Sequence, residues 1–199
     1  PTGEPARIRR IYMPADGLGS ARAYALKVDG AGRLWAAHGE GLSWFDGERF
    51  VTVGPGSGRR VATVRGRGLT RDGMLLAGGL GHVARAEPGA GEPRFRTWSE
   101  GAGLEGVLVL NGSELDTGEF VLGTNRGVLL FDPRAAEGRG QITARIDIEA
   151  GAIGTEVSNG GAFTRTADGW LWFGFKQGLT GFLPQQLVAE EPPEVEIVA

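Results

Sequence analysis

Apolar and polar residues alternate along short stretches of this chain, and glycine-rich breaks separate the stretches. Residues 21–28 set Arg22, Tyr24, Leu26 and Val28 against Ala21, Ala23, Ala25 and Lys27, which is the period of a β-strand. Further short strands are predicted at 33–37, 42–45 and 49–53. The grouping returns at 60–65, 74–77, 82–86 and 94–99, then at 106–110, 119–122, 127–132 and 141–148. A last group shows three strands, at 161–166, 170–174 and 179–182. Between the first two strands of each group stands a turn phrase: Asp29-Gly30-Ala31-Gly32, Asp72-Gly73, Asp116-Thr117-Gly118 and Asp168-Gly169. Asp can bond the turn backbone and Gly supplies positive φ, so these turns have a mechanism.

The turn glycines Gly32, Gly73, Gly118 and Gly169 recur every 41 to 51 residues. A four-stranded propeller blade occupies about 40–50 residues. The predicted fold is therefore all-β, a β-propeller of four-stranded antiparallel blades. Blades are expected at 21–56, 57–104 and 105–154, with a terminal blade at 155–187. Residues 1–20 read as the outer strand of a preceding blade, at 6–12, and a lead-in loop; residues 188–199 read as an exit linker. Glycine, 36 of 199 residues, suits a chain that turns every few residues. Helix is expected for no more than a turn or two, at 133–138 and 183–191. A closed four-bladed ring is one solution, with the 6–12 strand completing the last blade. An arc of a larger ring, of about seven blades, is the expected one.

The phrase Asp29-Gly-Ala-Gly-Arg-Leu-Trp35 followed by Gly41-Leu-Ser-Trp-Phe-Asp46 resembles the two-component regulator propeller repeat. Gly17-Leu18, Gly103-Leu104, the terminal run Glu156-Val157-Ser158-Asn159-Gly160-Gly161-Ala162 and Phe182-Leu183-Pro184 strengthen the resemblance. The second and third units depart from it, with Leu75-Leu76 and Phe120-Val121 in place of Leu-Trp. The resemblance implies the extracytoplasmic sensor propeller of bacterial hybrid histidine kinases, diguanylate cyclases and related regulators. It implies that Pro192-Pro193-Glu194-Val195 leads to an immunoglobulin-like domain, and that the ligand is a soluble one such as a carbohydrate.

Charge and chemistry narrow the function further. Net charge is −3, so a nucleic-acid partner is not indicated, and no apolar stretch is long enough to span a membrane. There is no cysteine, and His38 and His82 are the only histidines. They lack the spacing of a metal site, so no metal, cofactor or catalytic residue is expected. Gly54-Pro55-Gly56-Ser57-Gly58 lacks the lysine of a phosphate loop. Asn111-Gly112-Ser113 matches a glycosylation sequon, a weak signal. Trp35 and Trp172 occupy matching positions and read as packing between blades, while Trp44 and Trp98 are left as candidates for exposure.

Function then falls to loops on a rigid scaffold. Loops between second and third strands, together with the inter-blade links, share one end of a propeller. They carry the candidate ligand contacts His38, Glu40, Asn125, Arg126, Lys176 and Gln177, and from the links Arg59, Arg60 and Asn159, with Glu100, Glu105 and Glu156 alongside. The expected module is non-catalytic: it binds a soluble ligand or mediates homodimerisation, and has no membrane contact of its own. A propeller enzyme of lyase or lactonase type and a protein-interaction scaffold are the alternatives.

Overall fold

The computed structural model describes residues 10–53, 66–89, 92–158 and 162–186. The expected strand at 60–65, Arg59, Arg60, Asn159, most of the 6–12 stretch and the 188–199 linker lie outside them. The first blade is β1 (Ala23–Val28), β2 (Leu34–His38), β3 (Gly41–Phe45) and β4 (Phe50–Val53). The second is β5 (Gly66–Leu69), β6 (Leu75–Gly79), β7 (His82–Ala86) and β8 (Phe95–Trp98). The third is β9 (Val109–Glu114), β10 (Phe120–Thr124), β11 (Gly127–Asp132) and β12 (Gln141–Ile146). The fourth has β13 (Phe163–Arg165), β14 (Leu171–Phe175) and β15 (Gly178–Phe182). Within each blade, sequential strands pair antiparallel, as in a propeller.

The four turns after the inner strands share one geometry. Gly32, Gly73, Gly118 and Gly169 all have φ between +78° and +91°. Each donates its N–H to the carbonyl three residues back, at Asp29, Thr70, Leu115 and Thr166. A side chain there would strain the backbone, which is why the glycine recurs.

Alternation then builds the cores between blades. Leu75, Phe120 and Leu171, at equivalent positions of the middle strands, face the preceding blade. Trp35, Leu76 and Val121, one residue later, face the following blade. Three cores result. Trp35, Leu42 and Leu75 centre the first, Leu76, Val83 and Phe120 the second, and Val121, Leu171 and Phe173 the third. At the two ends of the arc, apolar side chains of the outward faces are uncovered among the described residues. Leu26 and Val28 of β1 are 57% and 53% exposed, and Trp172 and Leu179 are 36% and 68% exposed.

Several expectations need correction. Of the 6–12 stretch, only residues 10–12 are described; they form no strand. Tyr12 packs edge-on against Phe45 and Phe50 of the first blade, not against the fourth. Trp98 is buried, donating its indole N–H to Pro133 O at 3.1 Å. The inner strand β9 starts downstream of its expected place at 106–110, and β5 begins where the described residues resume after the expected 60–65 stretch. Gly66, Gly68 and Gly112 remove the apolar alternation there, and the reason is spatial. A Cβ on Gly68 would lie 1.7 Å from the carbonyl oxygen of Gly112. The two inner strands touch backbone to backbone, joined by one parallel bridge between Arg67 and Asn111.

Candidate functional site

Chain direction places the β2–β3, β6–β7, β10–β11 and β14–β15 loops at one end of the arc. The links between blades are knitted onto these loops. Gly81 N donates to Val107 O, Asn125 N to Leu108 O and Val157 N to Thr124 O. Leu104 and Val107 of the second link are fully buried.

The predicted contacts differ in what they offer. Glu40, Arg126, Lys176 and Gln177 are exposed at this end, and Lys176 pairs with Glu156 at 3.4 Å. Asn125 is half-buried, and its carboxamide oxygen accepts the Leu108 N–H at 2.7 Å, which shapes the loop. Glu105 is held locally, accepting the Gly101 N–H.

His38 presents nothing to solvent. Its Nε2 lies 2.8 Å from Ser43 Oγ, which lies 2.9 Å from Thr52 Oγ1, and Thr52 donates to Gly17 O. The last step fixes the direction: Nε2–H donates to Ser43, and Ser43 to Thr52. Gly19 N–H also donates to Ser43 Oγ. The histidine thus fastens the lead-in loop to the first blade. Burial holds its pKa below the ordinary 6.5, opposed by Glu40. His82 is also buried, its Nδ1 3.1 Å from Leu80 O, and its pKa too is lowered by burial. Among the described residues no three His, Cys, Asp or Glu side chains gather to hold a metal ion.

The opposite end carries the four turns, and these also touch. Gly30 N donates to Gly73 O, Arg71 Nη1 to Asp116 O, and Arg165 Nη2 to Asp116 Oδ2 at 2.7 Å. The Arg165 hydrogen bond and charge hold the Asp116 carboxyl below its ordinary range. Just inside these turns, a cavity of about 350 Å³ opens between the inner strands of all four blades. Lys27, Leu69, Asn111, Ser113, Phe163 and Arg165 supply its side chains. Sequence reading named Lys27 as a strand residue and Asn111 only as a sequon. Asn111 is almost fully buried on β9, so the folded chain does not offer it for glycosylation. The usable signal is positional: these residues sit on inner strands, two to five places before a turn phrase.

No protein-family model matches the sequence, and no curated protein matches it. Solved structures do match. One is the extracellular domain of BT3049 from B. thetaiotaomicron, a protein assigned to the hybrid two component systems. Identity is 18% and the TM-score 0.62, over 83% of this chain and 21% of that one. Another is the extracellular domain of BT4673 from the same organism, assigned to the one component systems. Identity is 14% and the TM-score 0.66, over 94% and 23%. A third is a catalytically inactive virginiamycin B lyase from Staphylococcus aureus, with 12% identity and a TM-score of 0.51, over 82% and 56%. The chain thus spans about a fifth of the length of the extracellular domains it resembles. At these identities the likeness is one of fold: the chain is a run of β-propeller blades, similar to those of extracellular two-component-system domains.

Proposed function

We propose that this chain is a non-catalytic, extracytoplasmic sensor segment of a bacterial signal-transduction protein. The observation that carries it is the four-fold blade repeat, each inner strand followed by an Asp and Gly turn, with a fold similar to the extracellular domains of BT3049 and BT4673. The blades form part of a larger ring whose loop end binds a soluble ligand, a neutral oligosaccharide in the first instance. Glu40, Arg126, Lys176 and Gln177 are the exposed contacts there, joined by Arg59, Arg60 and Asn159. Binding shifts a pre-existing equilibrium in the parent protein toward its signalling arrangement. No helix among the described residues is long and apolar enough to cross a membrane.

Thermal unfolding against a panel of neutral oligosaccharides tests the reading. A ligand specific for the folded state adds about 2.7 kcal/mol at one hundred times its dissociation constant. The rise is expected to disappear in Arg126→Ala combined with Gln177→Ala. A flat panel with folded protein overturns ligand sensing and favours a protein-interaction surface. The lyase likeness favours a second reading, a propeller enzyme. Both histidines are buried, so its acid and base would come from carboxylates. Turnover of a cyclic ester or peptide lactone separates the two.

A further inference from the structure

We infer that the cavity behind the turn end is a binding site for a small organic carboxylate with an apolar body.

Its lining combines two cations with no carboxylate: Lys27 from β1 and Arg165 from β13. Lys27 is one of only two lysines in the chain, and its ammonium forms no hydrogen bond or ion pair with another described residue. It is half-buried, on the face of β1 that also carries Ala25 into the first core. Among the described residues that ammonium is therefore unengaged, and an anion in the cavity would pair with it. Arg165 is partly committed, since Nη1 and Nη2 both point to Asp116. A guanidinium has five N–H donors, so Nε–H and a second proton on each Nη remain for a ligand. Asp116 lies on the turn and is not among the residues that line the cavity.

The rest of the wall fits the remainder of such a ligand. Phe163, Leu69 and Leu110 supply apolar surface. Ser113 Oγ donates to Leu69 O at 3.3 Å, leaving its lone pairs for a ligand donor. Gly68 and Gly112 seal the wall by backbone contact, since neither position has room for a Cβ. A volume of about 350 Å³ is at the small end of ligand pockets. A single ring with one carboxylate fits that space.

The site is at the opposite end of the arc from the loop face proposed above, so the two readings fail separately. The test is calorimetric titration of the purified protein with benzoate, benzamide and inorganic phosphate. Benzoate is expected to bind; its uncharged isostere benzamide and the phosphate lacking an apolar body are expected to bind at least tenfold more weakly. Lys27→Gln is expected to weaken benzoate at least tenfold while leaving the unliganded unfolding midpoint in place. Arg126→Ala, at the loop end, is expected to leave benzoate binding unchanged. No benzoate binding, benzamide or phosphate binding as tight as benzoate, or unchanged affinity in a folded Lys27→Gln protein would each overturn the assignment.

Discussion

Trp35 and Trp172 occupy the same register position in the first and fourth blades, and the fold gives them opposite environments. Trp35 is 1% exposed in the core against the second blade, with its ring edge-on to Phe95 at 5.6 Å. Its indole N–H donates to Asp29 Oδ2 at 2.8 Å. Trp172 is 36% exposed and stacks on Trp170 at 5.8 Å. Truncating a buried tryptophan to Ala costs about 3–5 kcal/mol. Removing the Asp29 partner adds about 1 kcal/mol. Trp172→Ala forfeits chiefly the stack with Trp170, about 1 kcal/mol. The expected gap is therefore at least about 3 kcal/mol, or about 6–12 °C in midpoint for a chain of this size. Thermal and urea unfolding followed by circular dichroism read it directly. Should Trp35→Ala fail to fold, Trp35→Phe keeps the comparison, with a smaller loss of the same sign. Losses within 1 kcal/mol of each other would refute the assignment of Trp172 to an uncovered end face.

Other outcomes follow from the same contacts. Gly68→Ala places a methyl on the Gly112 carbonyl and is expected to cost about 2–3 kcal/mol. Gly32→Ala has open space but φ +80°, and is expected to cost about 1–2 kcal/mol; a reversed order by urea unfolding would contradict the backbone contact. Burial lowers the pKa of both His38 and His82 below 6.5, so the unfolded chain binds protons first as pH falls. Their contribution is present above pH 6.5 and lost below it. Asp72, Asp116, Asp132 and Asp168, all lowered from 3.8, lose theirs only in stronger acid. The melting midpoint should therefore fall between pH 7 and pH 5, and His82→Gln should flatten that fall. Lys176→Gln removes an exposed pair and should move stability by less than about 0.5 kcal/mol, measured by urea midpoint.

Period-two alternation and the Asp–Gly turns determined most of the architecture by themselves, because both signals are local. Gly32, Gly73, Gly118 and Gly169 each need positive φ, and a chain that repeats this every blade states its repeat openly. The middle and outer strands were legible for the same reason: Leu75, Phe120 and Leu171 alternate between two covered faces. The inner strand of the third blade was displaced from its expected place, because Gly112 answers to Gly68, more than forty residues away, and glycine carries no alternation. The site divided in the same way. Exposure of Glu40, Arg126, Lys176 and Gln177 followed from their place in turns. The burial of His38 depended on Ser43, Thr52 and the lead-in loop closing over it. Lys27 and Arg165 meet at one cavity only because four blades curve around a common axis, and that curvature is set by packing between blades, which no single stretch of sequence contains.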